Sequence, residues 1–148
     1  MDQDRARTKM LALLPAVADA IRREADKISR ANFCDCNIGD VYMIATIQVD
    51  HGGSARPSDL IGSTYTTSAG VTGSLKRLEA AGYIERQRTP HDGRVSLAVV
   101  TDAGRKTVET ALPAFSDLAA AVTGGLDDDE VERLTSLAEQ YLETTVED

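Results

Sequence analysis

Between Thr67 and Val100 the apolar pattern changes period once, from helical to strand-like, and a single glycine marks the change. Val71, Leu75 and Leu78 recur at helical spacing over Ser68 to Ala81, Thr67 is placed to cap that helix, and Gly82 stands where helix ends favour glycine. Tyr83–Arg88 and Arg94–Val100 then read as two short strands joined by TPHDG, where Pro90 and Asp92-Gly93 supply turn chemistry. In the second strand Val95, Leu97 and Val99 alternate with Ser96 and Ala98, which predicts one buried face, that of the larger residues. A helix that ends at a glycine and leads straight into a hairpin leaves few architectures open.

The flanks narrow the choice further. Arg56 to Ser63 predicts a short helix with Pro57 near its start and Leu60 as its main apolar anchor. Upstream, Asn37 can cap a helix reaching about Asp50, with Asp40 three residues on as an imperfect capping box and His51-Gly52-Gly53 as its stop. The first arm carries Met10, Leu14, Val17, Ile21, Ala25 and Ile28 on one helical stripe; Pro15 either kinks that helix or lies in the first turn of its longer piece. Downstream, Thr101 or Asp102 caps a helix to about Thr123, with Pro113 as a bend. A last helix opens on Leu126-Asp127-Asp128-Asp129-Glu130, its acids at the positive end of the dipole, with Val131, Leu134, Ala138 and Tyr141 as its stripe. The expected fold is mainly α with a small β-hairpin wing: a winged helix-turn-helix over 37–101, between helical arms at 1–36 and 102–148.

With 148 residues, 42% hydrophobic and 27% charged, the chain suits one globular domain with a core of its own. No apolar run approaches the ~20 residues of a membrane span, and MDQDRART is not the start of a cleavable signal, so a cytoplasmic protein is expected. The net charge of −8 argues against a polyanionic partner until its distribution is read. Residues 56–106 hold 8 Lys or Arg against 5 acids, a net of +3, and the remainder holds 8 against 19, a net of −11. The basic middle coincides with the helix-turn-helix and hairpin.

On a wheel of ~100° per residue, Ala69, Gly73, Lys76 and Ala80 lie opposite the apolar stripe, flanked by Thr72 and Arg77, with Thr67 and Ser68 at the N-terminal tip. Glycine inside a helix costs ~1 kcal/mol against alanine. Gly73 and Ala69 would let the backbone approach a major groove while hydroxyls and cations reach bases and phosphates. In the hairpin, Ile84, Arg86 and Arg88 share a strand face, and Arg94 at the tip suits a narrow minor groove, with Asp92 expected to hold its guanidinium.

The run from Arg56 to Arg105, through TSAGVT (67–72), LKRLEAAGYIER (75–86), DGR (92–94) and VTDAGR (100–105), resembles the MarR family of winged-helix transcriptional regulators. The resemblance implies a homodimer built by the terminal helices, a ligand-responsive repressor on a palindromic double-stranded DNA operator, and wings that carry Arg94 into flanking minor grooves. It implies a DNA-facing set of Arg56, Thr67, Ser68, Thr72, Ser74, Lys76, Arg77, Arg88, Asp92 and Arg94. It also implies a small aromatic or phenolic effector where arm meets lobe, near Phe33, Tyr42 and Met43. Two positions depart from the pattern: Arg56 precedes Pro57 where a capping Ser or Thr is common, and Ser74 stands where a long polar or basic residue is common.

Other readings remain open at this stage. Cys34 and Cys36 could serve a thiol-based redox sensor; acidic Asp35 and Asp40 nearby favour the thiol over the thiolate, and neither His51 nor His91 has metal-ligand spacing to the pair, so no metal is expected. A winged helix can also serve as a protein–protein module, although cations on both helix and hairpin favour DNA. No phosphate-binding glycine loop or nucleophile–histidine set points to an enzyme.

Overall fold

The computed structural model describes residues 2–33 and 35–145. In chain order the elements are α1 (Asp2–Asn32), α2 (Ile38–Val49), β1 (Ser54–Ala55), α3 (Pro57–Ser63), α4 (Ser68–Ala80), β2 (Ile84–Arg88), β3 (Ser96–Val100), α5 (Asp102–Thr123) and α6 (Asp128–Thr145). The helix-turn-helix with its hairpin is therefore present, framed by helical arms. One strand was not foreseen: β1 pairs antiparallel with β3, Ser54 opposite Val99 and Ala55 opposite Ala98, giving a sheet of order β1-β3-β2. Two residues are too few to show a period.

Local chemistry sets most of the boundaries. The capping box of α2 is complete: Asn37 Oδ1 accepts the Asp40 amide at 3.1 Å, and Asp40 Oδ2 accepts the Asn37 amide at 3.0 Å. After α2 the chain turns through Gly52 and Gly53, both at positive φ (65° and 96°), which glycine adopts without steric cost. Pro15 lies well inside a continuous α1, so it does not belong to a first turn. The arm is exposed at Met10, Leu14 and Val17, and becomes buried only from Ala25, where α1 packs on α5.

The core lies inside the lobe. Phe33 joins Met43, Ile44 and Ile47 of α2, Leu60 of α3, Leu75 and Leu78 of α4, and Ile84 of β2, all at or near full burial. The face of β3 is the reverse of the expected one. Ala98 and Val100 are buried while Val95, Leu97 and Val99 are half-buried. Register explains this: Val100 lies opposite Ile84 and Ala98 opposite Arg86, and that face looks onto α2, close enough to favour alanine over a larger residue.

Thr101 joins lobe to arm. Its hydroxyl accepts the Gly104 amide at 3.1 Å to cap α5 and donates to the Gly82 carbonyl at 2.7 Å, while its own amide donates to the Tyr83 carbonyl at 3.0 Å. Gly104 faces the Tyr83 carbonyl so closely that a Cβ there would overlap it. At the far end, Asp127 and Glu130 cap α6 by reciprocal bonds of 2.9 and 3.0 Å, so the acids there do more than face a dipole. Leu134, Leu137 and Tyr141 of α6 are each more than half exposed. Among the described residues no helix is long and apolar enough to cross a membrane.

Candidate nucleic-acid interface

Helix α4 turns Val71, Leu75 and Leu78 inward and leaves Ser68, Ala69, Thr72 and Lys76 on the open side. Thr67 caps it, its Oγ1 accepting the Gly70 amide at 3.1 Å, and Thr72 Oγ1 donates to the Ser68 carbonyl at 3.0 Å. Most of the expected face is thus in place at the N-terminal half of the helix.

Two expected members of that face point elsewhere. Ser74 is only 6% exposed, and Arg77 turns back to the lobe, its Nε and Nη2 donating to Asp40 Oδ2 and Oδ1 of α2, both at 2.8 Å. Arg77 Nη2 also reaches Ser74 Oγ at 3.4 Å, so serine, arginine and aspartate form one network between α4 and α2. The Asp40 side chain is fully buried. Burial pushes its carboxyl up, but the bonds from Arg77, Ser74 and the Asn37 amide, with the arginine charge, outweigh that and hold it below the usual carboxylate range. Ser74 therefore does not belong to the open surface, and Arg77, although its side chain is 47% exposed, has its guanidinium engaged by Asp40. The wheel already carried a signal for Ser74, which falls about 40° from Leu78 at ~100° per residue; the fold of a long Arg77 side chain onto a carboxylate 37 residues away left no trace in it. Packing does not require the glycine at 73: a Cβ there would rest in ordinary contact, 3.4 Å from the Arg77 guanidinium.

In the hairpin, Arg88, His91, Asp92 and Arg94 are exposed. Asp92 does not hold the Arg94 guanidinium. Its Oδ1 accepts the Arg94 backbone amide at 3.0 Å, and its carbonyl accepts the Thr89 hydroxyl at 2.7 Å and the Val95 amide at 3.0 Å. The carboxylate shapes the turn, as aspartate does in such loops, and no ion pair to the Arg94 guanidinium occurs among the described residues. Arg86, across from buried Ala98, sits 3.9 Å from Glu79 of α4 and is largely covered. Arg56, at the N-cap of α3, makes no side-chain cap bond and is exposed. The open cationic face therefore consists of Arg56, Lys76, Arg88 and Arg94, with the hydroxyls of Thr67, Ser68 and Thr72 between them.

Where arm meets lobe, a cavity of about 210 Å³ is lined by Phe33, Ile38, Val41 and Tyr42 from one side and Val108 and Phe115 from α5. Phe33 and Tyr42 thus line it, whereas Met43 is buried in the core, 1% exposed. Phe33 meets Tyr83 edge-to-face with ring centroids 5.6 Å apart. Cys36 is 2% exposed, which shields its sulfur from oxidants; Cys34 lies outside the described residues.

Comparison with known proteins adds the same reading from sequence. Residues 47–95 match the profile of the MarR family. The uncharacterised HTH-type transcriptional regulator YdgJ of Bacillus subtilis is 40% identical over 60 residues, 40% of this chain and 37% of that protein, so the match spans little over a third of the relative. The fold is shared over most of the length: a mutant MarR from E. coli complexed with operator DNA superposes with a TM-score of 0.75 at 24% identity, covering 90% of this chain and 94% of that one. Sco3205 of Streptomyces coelicolor, a MarR family regulator in complex with DNA, gives 0.80 at 15% identity, covering 99% and 89%. Residues 47–95 thus match the MarR family of transcriptional regulators, and the winged helix-turn-helix between helical arms is the fold of the MarR regulators on which the chain superposes.

Proposed function

We propose that this chain is a ligand-responsive repressor that binds double-stranded DNA as a homodimer on a palindromic operator, with a small aromatic or phenolic effector, acting in the cytoplasm. The observation that carries the reading is a cationic face without ion pairs among the described residues: Arg94 and Arg88 on the hairpin and Lys76 on α4 stay open, although the chain as a whole is acidic. A surface kept basic against a net charge of −8 suits a polyanion. Two copies would place their α4 helices in successive major grooves about 10–10.5 bp apart, with Arg94 in the flanking minor grooves. Residues 1–36 and 102–148 would supply the dimer contact, which their uncovered apolar residues Leu14, Val17, Leu134 and Leu137 support. The effector would enter the cavity beside Phe33 and Tyr42.

Fluorescence anisotropy tests the DNA reading, using the duplex upstream of the coding sequence at two salt concentrations, with Arg94→Ala alongside. Tight binding is expected in the wild type, and the variant should lose about tenfold in affinity with a salt slope lower by about 1. Binding no tighter than to random DNA, equal in both proteins, would leave a protein partner as the better reading.

A further inference from the structure

Tyr65, in the turn between α3 and α4, adopts φ +51°, a left-handed conformation that is uncommon for a bulky side chain and natural for glycine. Tyr65 is 43% exposed, so burial does not account for an aromatic residue there. What the ring does is reach: the Tyr65 hydroxyl donates a 2.9 Å hydrogen bond to Glu139 Oε1 on α6, 74 residues away. Beneath the bond lies a groove of about 320 Å³, with Ile61 and Thr66 on one wall and Leu142 and Glu143 on the other. No element of the chain packs extensively on α6 among the described residues, so a point contact of this kind has leverage on where the arm lies. The bond to Glu139 raises the Tyr65 phenol above its ordinary range, and the hydroxyl therefore remains a donor at neutral pH.

We propose that Tyr65 and Glu139 are positioning residues, latching the C-terminal arm to the turn that enters α4 and so limiting the swing of α4 relative to that arm before DNA is met. The proposal rests on the DNA-binding reading above. Thr67, which caps α4, follows Tyr65 by two residues, so the latch acts at the entry to the face that carries Ser68 and Thr72. Holding a binding surface in its bound arrangement improves affinity by reducing what must be ordered on association. Simple electrostatics has the opposite sign, because Glu139 is an anion and its removal should favour an approaching phosphate backbone.

That opposition makes the test decisive. Glutamine at 139 loses the charge but keeps an oxygen that accepts the tyrosine hydrogen bond; alanine loses both. Affinity is measured by anisotropy for Tyr65→Phe, Glu139→Ala, Glu139→Gln and the double variant Tyr65→Phe/Glu139→Ala. Two duplexes serve as probes, one from upstream of the coding sequence and one of random sequence at low salt, and each protein's melting temperature is recorded. A latch weakens binding about two- to fivefold in Tyr65→Phe and in Glu139→Ala, no further in the double variant, and leaves Glu139→Gln at or above wild type. A purely structural role would shift the melting temperatures without separating alanine from glutamine in affinity. Equal tightening by alanine and glutamine, or an unchanged Tyr65→Phe, overturns the latch while wild-type binding upholds the DNA reading. Wild-type protein that binds neither duplex overturns both.

Discussion

Replacing Arg77 by alanine isolates the Asp40 carboxylate inside the lobe. In the wild type two guanidinium bonds of 2.8 Å and the Asn37 amide at 3.0 Å satisfy its oxygens. Without the arginine only the Asn37 amide and Ser74 remain, and the burial that already pushes the carboxyl up meets much weaker opposition. Breaking a buried pair by removing one partner costs about 3–5 kcal/mol. Here the Arg77 side chain is 47% exposed, so water can enter where it leaves and the cost is about half of that, roughly 2 kcal/mol. For a chain of this length that corresponds to a loss of about 4–8 °C in melting temperature. The pH dependence gives a second check. In the wild type the Asp40 pKa is lowered, so its contribution is complete above the ordinary carboxylate range and is lost only as pH falls through the lowered value. In the variant that lowering is weakened, the carboxyl takes up a proton more readily than in the wild type, and the penalty is relieved as pH falls from about 7 towards about 5. Thermal unfolding followed by circular dichroism at both pH values should show the gap between the proteins narrowing. A variant as stable as the wild type at neutral pH, or a gap that widens on acidification, would refute the account.

Two further outcomes follow from packing. Gly104→Ala places a methyl group against the Tyr83 carbonyl, backbone that cannot rotate away, and should destabilise the protein by about 1–3 kcal/mol in urea unfolding; a midpoint equal to wild type would show that α5 can shift freely. Leu137→Glu puts a charge on the uncovered face of α6 and should convert a dimer to a monomer in sedimentation velocity, with no effect on a chain that was monomeric from the outset.

Helix ends were the most legible part of the fold, because a cap is a contract between residues three apart. Asn37 with Asp40, Thr67 with Gly70 and Thr101 with Gly104 could each be read locally and each is realised. Features that depend on distant partners were not. The buried face of β3 was assigned by side-chain size, whereas the approach of α2 decides it and selects the small Ala98. Asp92 was paired with the nearest cation, while the competing acceptor need of the turn backbone prevailed. Arg77 was counted as an outward cation because its angular position allowed it, and a carboxylate on another helix determined the outcome. The exposure of the wing cations Arg88 and Arg94 and of the tip residues Thr67 and Ser68 was legible because, among the described residues, no distant group competes for them.

Thr101 has a mechanical consequence. Two of its bonds fasten the start of α5 to Gly82 and Tyr83, between α4 and the hairpin, and the third caps α5 itself, so the lobe and that helix are joined at one fastening that can serve as a pivot. A helix of 22 residues is about 33 Å long at ~1.5 Å per residue. A tilt of about 5° at the pivot therefore carries its far end through about 3 Å, nearly the separation of adjacent base pairs along a duplex. A displacement too small to disturb the packing at one end of the rod becomes, at the other, a shift that the proposed pairing of two lobes on one duplex would register.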